Sequence, residues 1–162
     1  MIMLNLIRRG LPLLILLWGL TTSTQVAAEQ AAEPTVIRFS HVVGEDTPKG
    51  IGAQLFKQKV AERLSGRVRV EIYPKSQRFT DEQALLGLLF GDIEMAAPGF
   101  SKFRQFSSQL QVFDLPFLFR DVEQVHRFQR SDAGQALLLS MQDKGIRGLA
   151  YWDNGMRVIS AK

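Results

Sequence analysis

A lysine stands one residue inside the start of a helix, and it is the side chain best placed for binding chemistry. Thr47, Pro48 and Lys49 read as an N-cap, a first helical position and a cation in the first turn. The threonine hydroxyl can accept from an orphan N–H, and proline has no N–H to leave unpaired. A helix start favours a negative ligand group, and Lys49 adds a charge beside it. As bare sequence, Lys49 could equally be a solvated helix residue. Catalytic chemistry is harder to assemble. The chain has no Cys, which removes thiolate nucleophiles, disulfides and Cys-based metal sites. Its two histidines, His41 and His126, lie far apart. His126 falls near the polar side of an amphipathic segment and reads as an ordinary surface histidine. There is no HExxH, and Gly44 to Gly50 does not have the P-loop pattern. The pairs Glu45-Asp46 and Asp81-Glu82 sit at helix starts, where capping explains them.

The elements that would carry Lys49 follow from periodicity. Ile37 to Val43 reads as a strand, followed by the polar turn Gly44 to Thr47 and a helix from Pro48 to Leu64. Ile51, Leu55, Phe56 and Leu64, with Val60 and Ala61, recur at helical spacing, and Ser65-Gly66 stops the helix. Ligands of open α/β sheets bind where strands end and helices begin, which is where Lys49 lies. Arg67 to Tyr73 alternates, with Val68, Val70 and Ile72 to one side, as a half-buried strand does. Thr80 and Gln83 have capping-box spacing before a helix with Ala84, Leu85, Leu88 and Leu89 on one face, ended by Gly91. Ile93 to Ala97 is a short strand stopped by Pro98-Gly99. This β-α-β-α-β order predicts mostly parallel pairing. A short helix is expected within Ser101 to Gln111. Val112 to Phe119 reads as a loop packed around Leu115 to Leu118. Helices follow at Asp121 to Arg130, with Val122, Val125 and Phe128 inward, and at Asp132 to Lys144. Strands are expected at Ile146 to Trp152 and from Met156 to Ser160, on either side of the turn at Asp153-Asn154-Gly155.

Composition limits the function classes. Of 162 residues, 46% are hydrophobic, as in a globular chain, and one domain is expected. Arg8 and Arg9 precede the apolar run Leu11 to Leu20, and Val26-Ala27-Ala28 has the small residues of a cleavage site. Met1 to Ala28 therefore reads as a cleavable signal peptide and places the chain in the periplasm. Residues 29–35 read as a flexible leader. The net charge of +4 falls by two when Arg8 and Arg9 leave, which gives no support to a nucleic-acid partner.

Five stretches in order then carry a resemblance: FSHVVGEDTPKG, RVRVEIYPKSQ, GDIEMAAPGFSKF, LQVFDLPFLF and AYWDNGMR. Together they resemble the extracytoplasmic solute-binding subunit of tripartite ATP-independent periplasmic (TRAP) transporters, of the C4-dicarboxylate-binding DctP type. The resemblance runs from Val36 to Lys162. It implies an α/β, periplasmic-binding-protein-like three-layer sandwich with a mostly parallel sheet. Such subunits are about twice this length, so residues 36–162 are expected to be the N-terminal lobe, truncated near the hinge. The resemblance implies a small organic acid as ligand, such as succinate, malate or fumarate. It implies TRAP membrane subunits as partners, no cofactor and no catalysis.

It also implies a ligand-binding set of His41, Lys49, Gln77, Ala97, Pro98, Trp152, Asn154 and Arg157. A dicarboxylate calls for cationic donors at both ends, and an arginine fork suits a carboxylate. Several of these residues keep a second reading. Arg157 could be a strand-edge charge, Asn154 could merely hold the turn, and Trp152 could be core. Lys75 and Arg78 depart from the Asn and Leu common at their positions, which leaves the substrate open. The resemblance further implies that the sheet lacks a strand it would receive from later chain. Self-association through that exposed edge is therefore expected. In a one-walled site Lys49 and Arg157 would face solvent. Two readings stand beside this one: a non-binding fragment or interaction scaffold, and an exported α/β hydrolase.

Overall fold

The computed structural model describes residues 33–64, 66–153 and 155–156. The proposed signal peptide, Asn154, Arg157 and most of the expected last strand lie outside the described residues.

Strand β1 (Thr35–Ser40) leads into helix α1 (Pro48–Leu64), strand β2 (Val68–Tyr73), helix α2 (Asp81–Phe90) and the two-residue strand β3 (Met95–Ala96). The sheet order is β2-β1-β3, and both pairings are parallel, as the alternating order of elements predicts. All six residues of β1 pair with β2, from Thr35 opposite Val68 to Ser40 opposite Tyr73. Only Phe39 and Ser40 pair with β3. The rest of the chain adds 3-10 turns at Phe100–Gln105 and Ser108–Asp114, helices α3 (Val122–Arg130) and α4 (Asp132–Leu139), and a last 3-10 turn at Gln142–Lys144. This is a small parallel sheet flanked by helices, in the α/β class expected.

The local stops and starts follow their chemistry. Thr80 and Gln83 form a reciprocal capping box on α2, a device worth about 1 kcal/mol. Gly91 ends α2 at φ 77°, a left-handed conformation that glycine adopts without steric cost. The Asp121 carboxylate accepts from Gln124 N–H at the start of α3.

Two cores divide the apolar side chains. One holds Phe39, Ala53 and Val70, with Phe56, Val60 and Trp152 against them. The other holds Leu85, Phe103, Leu110, Leu137, Met141 and Ile146.

Five sequence readings change. The buried stripe of α1 is not the one expected. Lys49, Gly50 and Ala53 face inward, while Ile51 and Leu55 are 58% and 52% exposed. At Gly50, α1 runs so close to the preceding loop that a Cβ would stand 2.2 Å from Gly44 O. The helix expected within residues 101–111 is instead two 3-10 turns. The loop expected to pack around Leu115 to Leu118 instead exposes them, with Phe117 at 93%; Phe113 takes the packed position. Residues 146–152 form no strand, because none of the described residues pairs with them. Ile146 is buried there, while Arg147, Leu149 and Ala150 are exposed. The single helix expected to Lys144 also breaks at Ser140, whose hydroxyl donates to Ser107 Oγ at 2.8 Å.

Candidate functional site

The site forms where β1 and β3 end. Beyond Ser40 the chain turns at Gly44. The Thr47 hydroxyl donates to Gly44 O at 2.7 Å and accepts from Gly50 N–H at 3.2 Å. Thr47 is thus the cap of α1 that its sequence predicts. The loop is also tied to the end of β2: Lys75 N–H donates to Val43 O and Ser76 N–H to His41 O. Lys75 and Ser76 both hold positive φ, at 52° and 57°.

Lys49 points inward from this loop and is only 7% exposed. The expectation that it faces solvent is corrected: Gly50, which has no side chain, lets the start of α1 sit against Gly44 and Glu45 and carry the lysine inward with it. Among the described residues its ammonium makes one hydrogen bond, to Ala97 O at 3.1 Å. Burial holds its pKa below the ordinary value, and the Asp81 carboxylate partly restores it. Asp81 also accepts from Gly99 N–H at 3.2 Å, which fixes the turn that presents Ala97 and Pro98.

Trp152 closes the other side. Its ring lies 6.1 Å from that of Phe39 and against α1 at Gly52, where a Cβ would come within 2.4 Å of the indole. Two cavities meet here. A small one of about 160 Å³ lies between β3 and residues 146–150. A larger cleft of about 860 Å³ runs out along Phe113 to Phe119 and the start of α3. Lys49, Pro98, Phe100 and Trp152 line both. The result is an apolar concavity with one buried cation, the kind of site that orients a small anion.

The structure thus brings together Lys49, Ala97, Pro98 and Trp152. His41 is 2% exposed directly behind them and lines neither cavity. Gln77 is exposed on the turn after β2 and also lines neither. Asn154 and Arg157 are not among the described residues. Three side chains escaped the sequence reading. His126 is not a bare surface histidine, because its Nε2 meets Asp153 Oδ2 at 2.5 Å. Buried Gln129 donates to Asp153 Oδ1 at 3.1 Å, and Gln129 and Asp153 line the larger cleft. The sequence signal available was spacing: Gln129 falls four residues after Val125 and seven after Val122, both expected on the inward face of α3.

His41 gives the site a pH dependence. Neither ring nitrogen makes a hydrogen bond of full geometry among the described residues. Burial pushes its pKa below the ordinary 6.5 and the Lys49 charge acts in the same direction, with the Val43 backbone and Glu45 opposing. A histidine held neutral in the fold binds fewer protons folded than unfolded. Its contribution is therefore complete above pH 6.5 and is lost as pH falls below that value. The urea midpoint should drop between pH 7.5 and 5.5, and His41→Leu should reduce that drop. An equal drop in the variant would assign the acid sensitivity elsewhere.

Comparison with known proteins places this geometry. Residues 39–162 match the family model for bacterial extracellular solute-binding protein, family 7 (DctP). The C4-dicarboxylate-binding periplasmic protein DctP of Shewanella loihica is 55% identical over 130 residues, covering 80% of this chain and 39% of the relative. A TRAP periplasmic solute-binding protein from Pseudomonas aeruginosa PAO1, solved with bound L-malate, shares 54% identity at a TM-score of 0.74. The match covers 76% of this chain and 43% of that one. One from Shewanella oneidensis, solved with bound succinate, gives the same identity and TM-score and is covered to 40%. The chain spans less than half the length of these relatives. On the match over residues 39–162, the chain belongs to bacterial extracellular solute-binding protein family 7, the DctP family.

Proposed function

We propose that residues 36–162 supply one wall of a periplasmic receptor site for a small organic acid, a C4-dicarboxylate such as succinate, malate or fumarate. The receptor would hand this ligand to the membrane subunits of a TRAP transporter, and it is a transport component without catalysis. The observation that carries the reading is Lys49, a buried cation whose one hydrogen bond among the described residues is to a carbonyl, at the meeting of two apolar cavities. A buried ammonium that among the described residues makes no ion pair, and that Asp81 compensates only in part, is costly, and an anionic ligand would offset that cost. Relatives solved with malate and succinate support the same ligand class.

One cation on one wall gives limited affinity. A charge-assisted hydrogen bond is worth about 1.5–3 kcal/mol. Micromolar binding needs about 8 kcal/mol after the cost of association. The 162-residue chain alone should therefore bind succinate or malate no tighter than the millimolar range. Grafted in place of the matching segment of the Shewanella loihica relative, residues 36–162 should give saturable micromolar binding by calorimetry. A graft that folds and takes no organic acid would sink the proposed function. A micromolar isotherm from the chain alone would sink the one-wall argument. Light scattering on the same samples reports whether the chain self-associates, as an uncovered sheet edge would favour.

A further inference from the structure

The stretch that carries Trp152 poses a physical problem. Residues 150–153 form no helix, and among the described residues no strand pairs with them. A segment without a ladder needs other anchors. Three successive side chains are engaged here. The Tyr151 hydroxyl donates to Gly134 O at 2.6 Å, beside the rings of Phe100 and Phe113. Trp152 turns the other way, onto Phe39 and Gly52. Asp153 turns back to α3, where its two carboxylate oxygens accept from different donors: Oδ1 from Gln129 Nε2 and Oδ2 from His126 Nε2. An ionised carboxylate can only accept, so the imidazole proton sits on Nε2. Gln129 is 8% exposed, and its backbone carbonyl accepts from the Gln135 side-chain amide at 2.7 Å. A buried amide is costly unless its hydrogen bonds are made, and Asp153 takes that bond.

We propose that His126, Gln129 and Asp153 form a positioning latch, which replaces a strand ladder, pins the chain to α3 on the C-terminal side of Trp152, and so sets how far the indole projects into the cleft. Calling that cleft an organic-acid site rests on the proposed function; the latch itself does not, and its test needs no ligand. The chain has two tryptophans, Trp18 and Trp152. In a Trp18→Phe background the intrinsic fluorescence reports Trp152 alone.

Asp153→Ala should shift the emission to longer wavelength and raise the acrylamide quenching constant about twofold, as local order is lost. Far-UV circular dichroism should be unchanged. Asp153→Asn should restore the parent spectrum. Its amide oxygen can accept from Gln129, and its NH₂ can donate to His126 Nε2 once the imidazole proton moves to Nδ1. His126→Ala, at a half-exposed position that tolerates truncation, should give an intermediate shift and serves as the decisive variant if Asp153→Ala does not fold. Trp152 emission and quenching that stay at parent values in the folded alanine variants would overturn the latch. So would an Asp153→Asn spectrum that follows Asp153→Ala, because the hydrogen bonds would then not be what holds the indole.

Discussion

Lys49→Met should weaken organic-acid binding in the grafted receptor about 10- to 100-fold, the equivalent of one charge-assisted hydrogen bond. The same change should make the ligand-free chain more stable. Methionine keeps the length and apolar stem of lysine and removes a charge that burial penalises. The gain should be on the order of 1–3 kcal/mol, reduced by the partner that Ala97 O loses. The pH dependence fixes the sign. The folded pKa of Lys49 lies below 10.5, so the folded chain sheds its proton before the unfolded chain does. The parent is then stabilised as pH rises through the folded pKa toward 10.5, and the advantage of Lys49→Met should shrink over that window. Urea titrations at neutral and alkaline pH measure this, with calorimetry for the ligand. A variant that binds normally, or that is less stable at neutral pH, would mean that the charge is compensated and not held ready for an anion.

Gly50→Ala should destabilise the chain by about 3 kcal/mol or more, or prevent folding, despite the roughly 1 kcal/mol that alanine gains over glycine inside a helix. A Cβ at Gly50 would stand 2.2 Å from Gly44 O and 2.7 Å from the Cα and O of Glu45. All three are backbone atoms of a loop that Lys75 and Ser76 tie to β2, so none can swing aside. Gly52→Ala is the control. Its Cβ would meet the Trp152 indole at 2.4 Å, a side chain that can shift where backbone cannot, at the cost of its packing on Phe39. Gly52→Ala should therefore destabilise the chain by about 1–3 kcal/mol, less than Gly50→Ala. Equal urea midpoints for Gly50→Ala and the parent would show that α1 does not sit against its own loop.

What could be read from sequence was what neighbouring residues decide together. Thr47 and Pro48 start α1, Thr80 and Gln83 box the start of α2, and Gly91 stops it, each through contacts a few positions long. The alternation of strands and helices carried the parallel pairing. Depth was not legible. Ile51 and Leu55 have the spacing of a core face, yet the small residues beside them decide which side of α1 approaches the sheet. For the same reason Lys49 looked solvated. Residues 146–152 have the pattern of a strand, but a strand also requires a partner, and pattern does not supply one. His126 and Asp153 lie in separate elements, and no periodicity links a helix face to a carboxylate beyond the next helix.

The unequal register of β1 has a kinetic consequence. β1 meets β2 along its whole length across a single intervening helix, but meets β3 at only two residues, after β2 and α2 have also been made. The shorter closure costs less chain entropy and returns more pairs. The β1-α1-β2 unit should therefore form the folding nucleus, with β3 docking afterwards. In pulsed hydrogen exchange, amides of Glu71 and Tyr73, which the register turns toward β1, should gain protection before that of Met95, and the reverse order would place the nucleus elsewhere. Because β3 is joined late and by so little, the floor of the Lys49 cleft is the part of the sheet that native-state fluctuations should open first.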